Sequence, residues 1–487
     1  MDSQPAPSAL CTNLLLTTFV GAVLAHIGNA AMNGVDPTPK MGWNSWQTHP
    51  YCRDKITQQI MKESMDALVK PRTYYDGTAT TLRDLGYKYA HMDDGYQACA
   101  GTAASGVAKV KTYHNGTCTG GYGPKCYTSH NASGWPVIDT TRFPDINSMV
   151  AHGHSLGLKV GWYMNNDVCH DHCTEDYCYR GDVDFLVQAG FDQVLSDTGD
   201  HMSNITFFAE LLNASGRLVS LHSSALDFVK GHQSVNGLPP AHPAWNYSHP
   251  EGCVVNTFNA NNLFDPHKGT GHIFGDLMIG LEQGLRMNEW QMSFPGCWSS
   301  GGPGMWGGWY EPLGNHKAPY VNFTLGRTEF GLNCILSRTM YIGLDVRIDD
   351  HLALAWEYIS NKEAIYVNQH WEGFSGSAFY RSKEQVIWAE YKCYSAWATP
   401  EGHCQFPAQQ YFYKPQPNGT VAVLLLNGAN TTVDLTVDIS TIPGLMRNGL
   451  YNHRDVWNHE DRPAVTGNFT YYNVASHDTV FLLLTPQ

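Results

Sequence analysis

The chain has 487 residues, of which 43% are hydrophobic and only 15% are charged, and its formal net charge is −14. This length suits two or three domains with a large buried core. Ordinary soluble proteins carry about 25% charged residues, so attached glycans are one way to supply the missing surface polarity. The acidic balance argues against a nucleic-acid partner, because proteins that bind the phosphate backbone usually present a basic patch.

The N-terminal segment has the pattern of a secretory signal. An apolar run extends from Leu14 to Ala25, and the small residues Gly28-Asn29-Ala30 follow it as a cleavage pattern. The alternative is a membrane anchor, but this run is short for a membrane-spanning helix and no later run is long enough either. We therefore expect a signal peptide over residues 1–31, no membrane span, and a secreted or vacuolar-lysosomal protein.

Cysteines and glycosylation sequons agree with export. If Cys11 is removed with the signal, twelve cysteines remain, an even set that suits disulfide bonds. The cluster from Cys169 to Cys178 includes two histidines and also allows zinc, although an oxidising compartment favours disulfides. Asn-x-Ser/Thr sequons, the acceptors for N-glycans, occur at Asn115, Asn131, Asn204, Asn213, Asn246, Asn322, Asn418, Asn430 and Asn468.

From residue 40 onward, strand-like and helix-like segments alternate. Apolar or β-branched runs predict strands at 41–46, 87–92, 158–163, 190–197, 218–221, 254–258, 290–294 and 340–344. Helical spacing predicts helices at 56–68, 146–156, 183–189, 205–212, 276–285 and 324–336, and a further helix that ends over 82–86. About eight strand–helix units predict an α/β fold, most simply a closed (β/α)8 TIM barrel.

The pattern changes after about residue 375. Short β-type runs occur at 386–391, 420–426, 433–437 and 480–484, and turn signals such as Asn427-Gly428 separate them. Helical periodicity is nearly absent, which predicts a C-terminal antiparallel β-sandwich. The expected domains are therefore a catalytic barrel over 32–375 and a sandwich over 376–487.

Polar and aromatic residues recur where the predicted barrel strands end. The carboxyl ends of the strands form the active-site face of a parallel barrel, so an acid there indicates catalysis. The alternative is that such acids cap a helix or lie in a solvated turn. Carboxylates beside aromatic rings suit a sugar site, and paired carboxylates suit glycoside hydrolysis. The residues in such positions are Trp43, Asp93, Asp94, Tyr163, Asn165 and Asp197.

Several motifs, in this order, resemble glycoside hydrolase family 27, the family of α-galactosidases and α-N-acetylgalactosaminidases. The segment 39–46 (PKMGWNSW) resembles its first motif, and 92–96 (MDDGY) resembles its aspartate pair followed by an aromatic residue. The segments 157–163 (GLKVGWY) and 344–347 (LDVR) follow, and 476–480 (SHDTV) resembles its C-terminal sandwich. The resemblance covers nearly the whole mature chain.

The resemblance implies a retaining glycosidase that needs no metal or organic cofactor and acts on a small-molecule or oligosaccharide substrate. Asp197 matches the family nucleophile, and Cys169 matches a half-cystine beside the pocket. The positions that match sugar-contacting residues are Trp43, Asp93, Asp94 and Tyr163.

The sequence departs from the family around this site. Leu195 replaces a lysine two residues before the nucleophile, and Gly199 replaces a half-cystine two residues after it. A family glutamate falls on Ser224, the acid/base falls on Asn261, and the arginine before it falls on Thr257. An amide cannot deliver a proton to a leaving group. A shift of a few residues in the alignment would make Asp265 the acid.

Two hypotheses follow. The first is a secreted α-galactosidase-like glycoside hydrolase that cleaves terminal α-linked sugars with retention. The second is a catalytically weak or inactive carbohydrate-binding protein on the same scaffold, because a fold does not guarantee an activity.

Overall fold

The computed structural model describes residues 33–45, 56–98, 130–131, 133–164, 176–196, 205–223, 255–259, 273–289, 293–300, 322–392 and 399–487. These residues form a parallel eight-stranded sheet surrounded by helices, and then antiparallel sheets. Among the helices in these ranges, none combines the length and the apolar character that crossing a membrane requires.

The parallel sheet closes into a barrel. Its strands are β1 (Met41–Asn44), β2 (Tyr89–Met92), β3 (Lys159–Met164), β4 (Gln193–Ser196), β5 (Ser220–Ser223), β6 (Thr257–Asn259), β7 (Trp298–Ser300) and β8 (Met340–Ile342). β1 pairs with both β2 and β8, and from β2 to β7 each strand pairs with the next. A parallel bridge between Ser300 and Thr339 joins β7 to the start of β8. The predicted (β/α)8 barrel is therefore confirmed.

The described helices are α1 (Gln58–Leu68), α2 (Ile146–Ser155), α3 (Asp176–Ala189), α4 (Ile205–Ala214), α5 (Ile273–Glu289), α6 (Phe323–Ile335), α7 (Asp349–Ala353), α8 (Trp356–Ile359) and α9 (Lys362–Gln369). Several of these helices have a polar N-cap residue whose side chain accepts a hydrogen bond from a backbone N–H of the first turn. These residues are Thr57 in α1, Asp145 in α2 and Asn361 in α9. Such caps satisfy N–H groups that have no partner inside the helix.

The antiparallel part contains β9 (Ser377–Arg381), β10 (Gln385–Lys392), β11 (His403–Pro407), β12 (Gln409–Pro415), β13 (Val421–Asn427), β14 (Val433–Asp438), β15 (Tyr451–Asp455), β16 (Glu460–Val465), β17 (Asn468–Val474) and β18 (Thr479–Pro486). Six of these strands form one sheet in the order β9-β12-β13-β18-β15-β16, while β10 pairs with β11 and β14 with β17. The C-terminal antiparallel domain is confirmed.

One hydrophobic cluster extends from the barrel into the sandwich, and the sandwich also contains a second cluster of its own. Leu424 of β13, Phe481 of β18 and Trp457 pack in the same cluster as the barrel residues. Gly331 of α6 allows this close contact, because a Cβ there would lie 2.6 Å from the Leu424 side chain and 2.9 Å from Trp457. Polar contacts at the same interface include the bidentate pair of Arg454 with Glu363.

One local prediction is wrong, and a second lies mostly outside the described residues. Residues 82–86 do not end a helix but form a turn, which Gly86 closes with a positive φ of 112°. Of the strand predicted at 290–294, only residues 293 and 294 are described; Phe294 exchanges backbone hydrogen bonds with Cys297 across a tight turn that contains Pro295, and the described strand in this part of the chain is β7. In addition, Cys334 is a buried free thiol, so the twelve cysteines are not all paired.

The interior of the barrel is unusually polar. Because side chains alternate along a strand, every second residue of each strand points inward. Two tight contacts identify the inward set: a Cβ at Gly42 would meet Tyr89, and a Cβ at Gly161 would meet the His91 ring. Barrel interiors are usually filled by Val, Ile and Leu. Here, by strand register, the set includes Lys40, Tyr89, His91, Gln193, Ser220, His222 and Tyr341.

Candidate active site

The best-defined carboxylate of the candidate site is Asp93, at the carboxyl end of β2. Asn44 of β1 donates a hydrogen bond from Nδ2 to Asp93 Oδ2 at 2.9 Å. The backbone N–H of Asp93 donates to Ser45 Oγ at 2.9 Å, and Asp93 Oδ1 accepts the N–H of Asp94 at 2.8 Å. Asp93 is only 4% exposed. The carboxylate is therefore held in a fixed orientation by the ends of two neighbouring barrel strands.

Asp94 organises the loop that follows β2. Its Oδ1 accepts the Gly95 N–H at 2.8 Å and the Gln97 amide at 2.7 Å. Arg142 donates to the carbonyls of Gly95 and Gln97 and is itself bound by Asp139 at 2.8 Å. The two adjacent aspartates thus differ in their contacts, because Asp93 is tied to β1 while Asp94 stabilises the loop.

The next two strands supply Tyr163 and Leu195. Tyr163 lies on β3 and Leu195 on β4, and the two are paired in register on the inward face. Both are 3% exposed. β4 ends at Ser196, so the predicted nucleophile Asp197 is the residue directly after a barrel strand, although Asp197 itself lies outside the described residues.

Trp43 does not lie on the inward face. It is fully buried and belongs to the hydrophobic cluster with Met41 and Met65. Its indole Nε1 donates to the carbonyl of Leu344 at 3.0 Å. Gly42 and Asn44, its neighbours in β1, face inward instead, so this position gives the Trp43 ring no face toward the barrel mouth. Its placement therefore speaks against the sugar contact predicted for it.

Several sequence-predicted positions lie outside the described residues: Asn165, Cys169, Gly199, Ser224, Asn261 and Asp265. Thr257 is described, and it is a fully buried inward residue of β6. In the portion of the chain that the structure covers, no group of three or more His, Cys, Asp and Glu side chains is arranged to hold a metal ion.

The opposite end of the barrel is closed by a buried ionic network. Lys40 Nζ donates to Ser220 Oγ at 2.7 Å and lies 3.7 Å from Asp36 Oδ2. Tyr89 donates to Asp36 at 2.7 Å, and Lys159 donates to the Tyr89 hydroxyl at 3.1 Å. Burial lowers the pKa of Lys40 to about 8 despite the nearby carboxylate. Residues at the amino-terminal face of such a barrel are expected to stabilise the fold rather than to take part in catalysis.

The sequence analysis missed Asn44 and Gln97, the side chains that orient the two aspartates. A usable signal existed for Asn44, because it stands two residues after Gly42 at the end of the first predicted strand and shares the inward face. For Gln97 the sequence offers only its position in the loop after the aspartates.

A closed parallel barrel with buried carboxylates at the carboxyl ends of its strands, followed by an antiparallel sandwich, defines a barrel enzyme with an accessory β-domain. Comparison with known proteins agrees. Residues 407–484 match the alpha galactosidase C-terminal beta sandwich domain. α-Galactosidase 3 of Arabidopsis thaliana is 24% identical over 93% of this chain and 83% of its own length.

Solved structures share the whole architecture. α-Galactosidase I from Mortierella vinacea superposes with a TM-score of 0.62 and 19% identity, over 93% of this chain and 98% of its own. A β-L-arabinopyranosidase of glycoside hydrolase family 27 from Geobacillus stearothermophilus gives a TM-score of 0.65 and 16% identity, over 92% and 97%. The matched C-terminal domain, the curated relatives and the shared fold together support an α-galactosidase-like glycoside hydrolase of family 27.

Proposed function

We propose that this protein hydrolyses terminal α-linked galactosides, or glycosides of a sugar with the same ring stereochemistry, with retention of configuration. The observation that carries the proposal is the buried Asp93 carboxylate, bound by Asn44 at the carboxyl ends of β1 and β2. A carboxylate held in one orientation accepts hydrogen bonds from sugar hydroxyls with little further loss of side-chain entropy. The curated relatives that carry α-galactosidase names support the same activity.

The roles divide as follows. Asp197 attacks the anomeric carbon, the bond to the leaving oxygen breaks, and a carboxylic acid gives that oxygen a proton. Water then hydrolyses the glycosyl ester on Asp197, which regenerates the carboxylate. Asp93, Asp94 and Tyr163 bind the sugar. The family position of the acid falls on Asn261, and Asp265 is the nearest alternative.

Leu195 bears on which sugar is bound. It stands where the family has a lysine, and the structure buries it on the inward face of β4. Leucine cannot donate to a sugar hydroxyl, so this site offers one polar contact fewer than the family pattern. L-Arabinopyranose lacks the hydroxymethyl group of galactose, and the neighbour from Geobacillus makes it a second substrate to test.

The test is a panel of nitrophenyl α-galactoside, α-N-acetylgalactosaminide, β-L-arabinopyranoside and matched sugars of opposite anomeric configuration. We expect turnover of at least one of the first three, loss of that turnover in Asp197→Asn, and partial recovery with azide. Asp184→Asn, an exposed aspartate of α3, is the matched control. Unchanged turnover in Asp197→Asn would contradict the assigned nucleophile.

A second candidate function is sugar binding with little or no catalysis. The buried Leu195 favours it, because a leucine two residues before the nucleophile neither donates a hydrogen bond to the sugar nor electrostatically lowers the pKa of a carboxylate. Retained galactose binding by calorimetry, with no turnover of any glycoside in the panel, would support this function over hydrolysis.

We also propose that the protein is exported and N-glycosylated. Four sequon asparagines, Asn213, Asn418, Asn430 and Asn468, are exposed, as an oligosaccharide requires. Expression in a eukaryotic host should give a secreted protein that begins after about residue 31 and loses mass on treatment with an endoglycosidase. Intracellular protein of unchanged mass would count against export.

A further inference from the structure

A histidine lies directly beneath the sugar-binding carboxylate. His91 is two residues before Asp93, at the preceding inward position of β2, and it is fully buried. Its Nε2 lies 3.8 Å from Asp93 Oδ2. Neither ring nitrogen has a hydrogen-bond partner among the residues that the structure describes. Such unpaired buried groups are uncommon and destabilise the fold, so a contribution to stability does not explain why a histidine stands at this position.

Packing fixes where the ring can point. Gly161 of β3 is the register partner of His91, and a Cβ there would lie 2.3 Å from His91 Nδ1. On another side, the Tyr341 ring lies edge-on, with ring centroids 6.4 Å apart. The absence of a side chain at Gly161 therefore makes room for the imidazole, and its Nε2 edge faces the carboxylate.

The charge of the ring follows from its surroundings. Burial lowers the pKa of His91 well below its ordinary value, and the nearby His222 and Lys40 lower it further. Among the described residues, the Asp93 carboxylate and the Tyr341 ring also lie beside it. A neutral imidazole has one N–H donor. It can thus stabilise a carboxylate by a hydrogen bond without adding a charge to the sugar site.

We propose that His91 is a positioning residue for Asp93, which it holds together with Asn44 so that the carboxylate meets the sugar in a fixed orientation. The inference rests on the proposed function, in which Asp93 binds the substrate. Hydrogen bonds in ligand-free sites are often long and tighten in the complex. Sugar binding would accordingly shorten the 3.8 Å contact between Nε2 and Oδ2 to hydrogen-bonding distance.

Two variants of the full chain separate positioning from packing. His91→Gln keeps a donor near the Nε2 position, whereas His91→Leu keeps a similar volume without a donor. We expect His91→Leu to weaken D-galactose binding about tenfold, the loss of one hydrogen bond to a charged group. His91→Gln should stay within about threefold of wild type. Because His91→Leu removes an unpaired polar ring, its urea midpoint should be no lower than wild type.

Equal galactose affinity in wild type and His91→Leu would overturn the inference, and so would equal losses in both variants, since packing alone would then explain them. Asp93→Asn is measured alongside. If it also leaves affinity unchanged, the sugar-binding role of Asp93 fails, and the proposed function is contradicted rather than the role of His91 alone.

A double-mutant cycle tests the contact without any ligand. The shift in urea midpoint caused by His91→Leu should differ between the wild-type and Asp93→Asn backgrounds, because residues in contact have non-additive effects. Additive shifts would show that the two side chains do not interact, which would overturn the inference even for a protein that does not bind galactose.

Discussion

Lys414 makes the stability of this protein depend on pH in a way that can be measured. It lies in β12, is fully buried, and donates from Nζ to the carbonyls of Val367 and, at 3.2 Å, Asn368 at the end of α9. These are carbonyls that a helix end leaves without partners. Burial nevertheless lowers the pKa of Lys414 from 10.5 to about 7.

The direction of the pH dependence follows from the number of protons that the folded and unfolded chains bind. Between pH 7 and pH 10.5 the unfolded chain holds the Lys414 proton more tightly than the folded chain does, so the free energy of unfolding rises with pH across this window. A shift of one pKa unit is worth about 1.4 kcal/mol. The cost of burying Lys414 is therefore about 4 kcal/mol at pH 7 and about 2 kcal/mol at pH 9.

The measurement is urea unfolding at pH 7, 8 and 9, followed by tryptophan fluorescence. The unfolding free energy of wild type should rise by about 2 kcal/mol more than that of Lys414→Met between pH 7 and pH 9. Lys383→Met, an exposed lysine on the same domain, should keep the wild-type slope. Parallel curves for wild type and Lys414→Met would refute the reasoning and show that the helix carbonyls keep the ammonium charged.

Three further outcomes are expected. Trp43→Ala should lower the free energy of unfolding by roughly 3–5 kcal/mol, as for a large core residue, while the folded fraction keeps the wild-type KM; a raised KM would return Trp43 to the sugar site. Gly161→Ala should weaken galactose binding by displacing the His91 ring, and unchanged affinity would mean that the ring relaxes freely. Asn261→Asp should raise turnover of alkyl glycosides more than of nitrophenyl glycosides, because only an alkoxide needs a proton; equal gains on both would place the acid elsewhere.

The sequence predicted the barrel well where strands are apolar. β2, β3 and β4 were located because buried runs end in polar residues or follow a helix-stopping glycine. β7 was missed because its residues, Trp298-Ser299-Ser300, form no apolar run, and an inward polar side chain such as Ser300 obscures the alternation. Strand prediction from hydrophobicity thus fails where the interior of the barrel is polar.

The candidate site was predicted in part. Asp93 and Asp94 could be placed because they follow a strand directly, but their different contacts depend on Asn44 and Gln97, and sequence spacing does not reveal those hydrogen bonds. Trp43 was assigned from its motif, whereas the direction of its ring depends on strand alternation, which puts Gly42 and Asn44 inside the barrel.

The hydrophobic cluster shared by the barrel and the sandwich has a consequence for how the molecule can be divided. Separating the two would expose the α6 surface around Gly331 and the Leu424 side of β13 to water, and would break the pair of Arg454 with Glu363. The sandwich is therefore expected to stay packed against the barrel, so the exposed backbone around Asn418 keeps a fixed position relative to the barrel helices.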